Sequence, residues 1–186
     1  MQLTAFTDYA LRMLMGLGAV APEKLTVGQL SSAYGISVHH LLKVANELAA
    51  LGYVETIRGK SGGVRLAKSP EAICIGVVVR AVEPELGVVP CLRTGDAPCV
   101  IAPVCRLKRV LAGATERFFA ELDQHTLADL LEPRHQLQRL LKLTGDRSPA
   151  GDPEPALAPL AQTRAASSGP ASSRPASSRP TSSRAT

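Results

Sequence analysis

The chain has 186 residues, 21 Lys and Arg against 16 Asp and Glu, a net charge of +5, and 45% hydrophobic residues without a single Trp. That length suits one folded domain with appendages, whose core must come from Leu, Val, Ile and Ala. Four cysteines are too few for a disulfide scaffold and fit a reducing, cytoplasmic setting, while the mild positive charge permits a polyanionic partner without demanding one.

Thr4–Ala21 reads as a helix, with Phe6, Ala10, Met13, Leu14 and Leu17 on one apolar face, Thr4 as N-cap and Pro22 as stop. Its apolar end, closing on Ala19-Val20-Ala21, resembles a secretion signal. Asp8 and Arg12 spoil the flank that a signal needs, and the stretch is too short to span a bilayer, so a core helix is expected and no membrane. Thr26 and Gln29 form a capping-box pattern for a short helix ended by Gly35. Ser37 caps the next helix, which runs to about Leu51, with Leu41, Ala45, Leu48 and Leu51 as its apolar stripe. Two helices joined by a tight glycine turn make a helix-turn-helix.

The hairpin Tyr53–Arg58, Gly59–Gly63, Val64–Lys68 follows, and the expected fold is mainly α with a small β wing: a winged helix-turn-helix with a long dimerisation helix. Ser37, His39, His40, Lys43 and Asn46 on the second helix are able to reach phosphates and base edges. Arg58, Lys60, Ser61, Gly62, Gly63 and Arg65 on the wing supply charge and a backbone free of bulk, completing a candidate surface for double-stranded DNA.

Ile73–Val82 is apolar apart from Arg80, and is expected as a buried helix with Cys74 in the core. Glu83–Pro103 is a long loop. Pro103 is expected to open a long helix with Leu107, Leu111, Ala114, Phe118 and Leu122 on one side. Such a helix has little of its own chain to bury against, so a homodimer is expected. Thr126–Asp129 starts a last short helix and His135–Leu143 adds further helical material. From about Gly145 the chain turns to Pro, Ala, Ser and Arg, and Ser167–Thr186 is four units, SSGPA, SSRPA, SSRPT and SSRAT, expected to be disordered.

The chemistry lies in Cys91, Cys99 and Cys105, spaced Cys-x7-Cys-x5-Cys. Zinc sites commonly use closer pairs, whereas widely spaced loop cysteines suit a bulkier iron–sulfur cluster. A helix beginning near Cys105 would turn its positive end toward a thiolate. Zinc and three unmodified thiols remain the alternatives, and three cysteines leave one ligand position to be filled from elsewhere or left open. An enzyme using a Cys–His pair finds no support: His39, His40, His125 and His135 lie far from the cysteines in sequence, and no phosphate loop or paired-carboxylate motif is present.

MQLTAFTDYALRML at the start, GYVETIRGKSGGVRLAK at the wing and the cysteine run ending in CRLK together resemble the NsrR-type nitric-oxide-sensing repressors, in the winged-helix family that also contains the cluster-assembly regulator IscR. The resemblance covers about Met1–Leu143. It implies a dimeric repressor with one iron–sulfur cluster per subunit, 4Fe–4S favoured and 2Fe–2S the alternative. It implies Cys91, Cys99 and Cys105 as cluster ligands and Asp8 as a fourth, given across the dimer; the bland reading of Asp8 is an ion pair with Arg12. Lys108 stands where IscR-like members carry a histidine, which separates this chain from them. The implied switch is that nitric oxide nitrosylates the cluster, DNA is released and nitric-oxide detoxification genes are derepressed. The alternative input is cluster supply or oxidation, as for IscR. The domain layout expected on this reading is a winged helix over 1–83, a cluster loop over 84–105, dimerisation and C-terminal helices over 103–143, and a tail over 144–186.

Overall fold

A computed structural model of the chain describes residues 2–59, 62–93 and 99–143. These fall within one unit, Met1–Arg147; the second unit, Ser148–Thr186, and with it the repeat-bearing tail, lies outside the described residues, as do Lys60 and Ser61 of the wing.

Helix α1 (Ala5–Val20) is the hub. Thr4 caps it by accepting the Thr7 N–H, and Ala10, Met13, Leu14 and Leu17 are fully buried, as their spacing predicts. Burial reaches further round the helix than one stripe, taking in Thr7, Gly16 and Gly18. The reason is that neighbours pack on several sides. Leu30 and Tyr34 press on Gly16, and Leu131 presses on Gly18. At the helix end Arg134 donates to the carbonyls of Ala19 and Ala21, and Gln138 donates to that of Ala19, so orphan carbonyls are satisfied by a distant helix.

Helix α2 (Val27–Tyr34) carries the expected capping box: Thr26 accepts from the Gln29 N–H while the Gln29 side chain accepts from the Thr26 N–H. It ends at Gly35, whose φ of 65° is the left-handed conformation that a side chain would disfavour. Ser37 caps α3 (Val38–Ala50) by accepting from His40 N–H. Leu41, Val44, Ala45 and Leu48 bury the inner face of α3 against α1 and α2. Strands β1 (Val54–Ile57) and β2 (Gly63–Leu66) pair antiparallel, Val54 opposite Leu66 and Ile57 opposite Gly63. Leu25 adds a bridge to Val64 through two backbone hydrogen bonds of 3.0 and 2.8 Å, fastening the hairpin to the segment before α2. The fold is mainly α with a two-stranded wing.

Helix α4 (Ile75–Val82) buries Ile75, Val78, Val79 and Val82, but Val77 is 52% exposed, so it is not buried all round. Cys74 sits at its N-cap and is half-buried, its thiol 3.6 Å from the Asp123 carbonyl, rather than inside the core. The segment around it instead pairs with the start of α6 (Leu127–Leu130): Ile75 N–H donates to His125 O, and Leu127 N–H to Ile73 O. The long helix α5 (Arg106–Asp123) begins three residues later than Pro103 suggests. Pro103 belongs to a 3-10 turn, Ala102–Val104, and the extended backbone at Cys105 (ψ 104°) separates that turn from α5. Cys105 is therefore the N-cap of α5, outside its first turn. Phe119 of α5 is buried against the rest of the unit, and Phe118 and Leu122 of the expected stripe are half-buried beside it. Arg80 of α4 stacks over the Phe119 ring at 4.6 Å and pairs with Asp123 through two contacts of 2.6 and 2.7 Å. That hydrogen-bonded guanidinium holds the Asp123 carboxyl below its ordinary range. Helix α7 (Arg134–Leu140) closes the unit against α1.

Candidate functional site

Two assemblies of side chains stand out. The first is the outer face of α3 with the wing. Burying Leu41, Val44, Ala45 and Leu48 inward leaves Ser37, His39, His40, Lys43 and Asn46 exposed together on the opposite face. Val38 and Leu42, 45% and 46% exposed, stand among them, and apolar groups there suit contact with a thymine methyl. Asn46 and Leu42 share a groove of about 500 Å³ with Arg58, Gly59, Gly62 and Gly63, so the helix and the base of the wing form one continuous surface. Arg65 is set apart from this groove. It lines a different depression with Ala21, Pro22 and Arg134, and its guanidinium is held by cross-strand partner Glu55 at 2.8 Å. Lys60 and Ser61, at the wing tip, lie outside the described residues.

The second assembly is the cysteine segment. Cys91, Cys99 and Cys105 are all free thiols. Cys91 lies in a 3-10 turn, Pro90–Leu92, and is half-buried; Cys99 is exposed. Cys105, as N-cap of α5, accepts the Lys108 N–H on its sulfur at 3.3 Å. Soft, unpaired thiols of this kind are the donor set that an iron–sulfur cluster takes. The donor chemistry therefore fits, although among the described residues no three His, Cys, Asp or Glu are gathered closely enough to hold a metal ion. Asp8 is paired within its own helix, with Arg12 Nε 2.9 Å from its carboxylate and both side chains nearly half exposed.

Four residues, Glu83, Thr4, Thr7 and Tyr9, tie the two assemblies together and escape a reading of periodicity. Glu83, at the end of α4 where the cysteine segment departs, is buried at 8% exposure. It accepts hydrogen bonds from Thr4 N–H (3.0 Å), Thr4 Oγ1 (3.1 Å) and the fully buried Thr7 Oγ1 (2.6 Å). A buried carboxylate is tolerated only with such partners, and here it also faces the positive end of α1. Tyr9, beside Asp8 on α1, places its ring 5.9 Å from the ring of His40 on α3. In the sequence Glu83 stands out only as an acidic residue directly ending the apolar run Ile73–Val82, with nothing to pair it with Thr4 and Thr7.

The profile of the Rrf2 family, described as "Iron-dependent Transcriptional regulator", matches residues 3–133. The chain is 52% identical over 143 residues to the HTH-type transcriptional regulator NsrR of Geobacillus kaustophilus (strain HTA426), an alignment covering 76% of this chain and 97% of that protein. It is 46% identical over 144 residues to the regulator of the same name from Bacillus subtilis (strain 168), covering 77% and 99%. Among solved structures, Staphylococcus aureus CymR superposes with a TM-score of 0.57 at 18% identity, covering 69% of this chain and 97% of that one. T. potens IscR superposes with a TM-score of 0.57 at 21% identity, covering 74% and 91%. At those identities the two structures speak for the fold alone. The chain belongs to the Rrf2 family of DNA-binding transcriptional regulators, not enzymes, and within that family it groups with the NsrR regulators.

Proposed function

We propose that this regulator is a cytoplasmic, homodimeric repressor that holds an iron–sulfur cluster and reads nitric oxide through it. Cys91, Cys99 and Cys105 would hold the cluster together with the partner subunit's Asp8. A 4Fe–4S cluster is the favoured type, with 2Fe–2S the alternative. When bound, such a cluster supplies iron that reacts with nitric oxide. Residues 1–83 would serve as the DNA-binding head, 84–105 as the cluster loop, and 103–143 as the dimerisation and C-terminal helices. The DNA surface would comprise Ser37, His39, His40, Lys43 and Asn46 on α3, and Arg58, Lys60, Ser61, Gly62, Gly63 and Arg65 on the wing.

The observation that carries this reading is the continuous route from the cysteine segment to the recognition helix. Glu83 anchors the root of that segment to the N-cap of α1 through Thr4 and Thr7. Helix α1 bears Asp8, and through Tyr9 it touches His40 on the exposed face of α3 proposed for DNA. Asp8 is held by an exposed pair with Arg12, and exposed pairs of this kind contribute only about 0.3–0.5 kcal/mol. Asp8 can exchange Arg12 for a ligand role at small cost, and Arg12 recovers it when that role ends. Each exchange biases the position of α1, and with it α3, giving a local chemical event a global readout. No helix among the described residues is long and apolar enough to cross a membrane, and thiol ligands of this kind persist in the reducing cytoplasm.

Anaerobic purification of the full chain with iron, sulfide and visible-absorption analysis tests the cofactor. Coloured protein with acid-labile sulfide is expected, and Cys99→Ala should be colourless. A coloured Cys99→Ala protein with undiminished sulfide would remove Cys99 from the ligand set.

A further inference from the structure

We propose that Arg93 is a positioning residue for Cys91, closing a clasp that holds the first thiol of the cysteine segment in place before any metal arrives. This rests on the reading of Cys91, Cys99 and Cys105 as cluster ligands. Three independent contacts build the clasp. Arg93 Nε donates to the Gly87 carbonyl at 3.2 Å, reaching back across six residues. Its Nη1 lies 2.9 Å from the Glu85 carboxylate. Gly87 itself is buried against the backbone of the cysteine turn: a Cβ there would fall 2.5 Å from the Leu92 carbonyl carbon and oxygen and 2.7 Å from Arg93 N. Only glycine allows that approach.

The result is a closed ring of chain, Glu85 to Arg93, around the 3-10 turn that carries Cys91. Within the turn, Leu92 N–H donates to Val89 O at 2.9 Å and Arg93 N–H to Pro90 O at 3.2 Å. Leu86 packs on the hydrophobic core and anchors the ring to the body of the protein. The Arg93–Glu85 pair is about half exposed, so on its own it contributes little. Its role is to orient the guanidinium so that Nε meets the Gly87 carbonyl. Of the three thiols, Cys91 and Cys105 are thus each fixed by a local device, the clasp and the α5 N-cap, whereas Cys99 is exposed. Preorganised donors reduce the ordering that metal uptake requires, and residues supporting a ligand commonly matter to affinity about as strongly as 10–100-fold.

The test uses the full-length, reduced, cluster-free protein and the rate at which each cysteine is alkylated by iodoacetamide, mapped by mass spectrometry. In the parent protein Cys99 should react fastest. Arg93→Ala should speed Cys91 about fivefold, the equivalent of one net hydrogen bond, and leave Cys74 and Cys105 unchanged. Arg93→Lys, which keeps the pair with Glu85, should fall between. The same proteins loaded anaerobically with iron and sulfide should lose visible absorption to a chelator about tenfold faster when Arg93 is Ala. An unchanged Cys91 rate in Arg93→Ala would overturn the proposal. So would equal acceleration of Cys74 and Cys105, which would make Arg93 a support of the whole fold. A faster Cys91 in a protein that takes up no iron in either form would uphold the clasp and discard the cluster reading.

Discussion

Asp8 and Tyr34 show how much single residues can reveal. Asp8 serves two readings at once, because the geometry that makes an i,i+4 pair with Arg12 also leaves its carboxylate half exposed and exchangeable. Asp8→Ala should change unfolding free energy in urea by less than about 0.5 kcal/mol, since the pair is exposed. It should nevertheless shift the visible spectrum of the iron-loaded protein. An unchanged spectrum returns Asp8 to a purely local role. Tyr34 illustrates the opposite case, a buried hydroxyl without a partner among the described residues. Burial pushes its pKa up to about 12. Tyr34→Phe removes the unsatisfied group while keeping the ring against Gly16, and should raise stability by about 1 kcal/mol in urea unfolding. Neither property is visible in the sequence. The Asp8–Arg12 spacing is, because it is a local rule, but exposure and the absence of a partner depend on what packs nearby.

At the scale of elements, local chemistry was the readable part. The Thr26–Gln29 capping box, the Gly35 terminator, the Ser37 cap and the Thr126–Asp129 start all act within four residues, and all are found. What depended on long-range partners was missed. Periodicity puts Phe118 and Leu122 on one side of α5, where both pack half-buried on the core, whereas Phe119, off that stripe, is buried where Arg80 and Asp123 join α4 to α5. Phe119→Ala should therefore cost about 3 kcal/mol by urea unfolding, and clearly more than Phe118→Ala. The proline rule misplaced the start of α5 for a related reason: the Cys105 sulfur offers the Lys108 N–H a cap, and the chain uses it. On the surface proposed for DNA, Arg58 lines the groove with Asn46 and the wing glycines, while Glu55 already occupies Arg65. Arg58→Ala should weaken binding across DNA sequences and flatten the salt dependence more than Arg65→Ala does, as measured by fluorescence anisotropy at several salt concentrations.

On the scale of the whole molecule, the described unit leaves an apolar strip uncovered, with Ile101, Val104, Leu107 and Val110 each more than half exposed along the approach to α5 and its first turns. A second copy of the same helix is the proposed cover, and it would bring two recognition helices onto one duplex. Replacing Leu107 and Val110 together by Glu should give a monomer in sedimentation, with far-UV circular dichroism retained, since neither side chain is buried within the chain. The winged helix and the cysteine segment were legible from sequence because each uses a local pattern. The link between them was not, since Glu83, Thr4 and Thr7 meet across more than seventy residues. That link is the core of the switch account. Its most direct test is an anaerobic titration of the iron–sulfur-loaded full-length protein with nitric oxide. Operator affinity would be followed on a duplex selected by the loaded protein from a random library. Affinity should fall about a hundredfold once nitric oxide matches the iron present, a coupling of ordinary size for a regulated DNA binder; affinity that holds steady through that point would contradict the account.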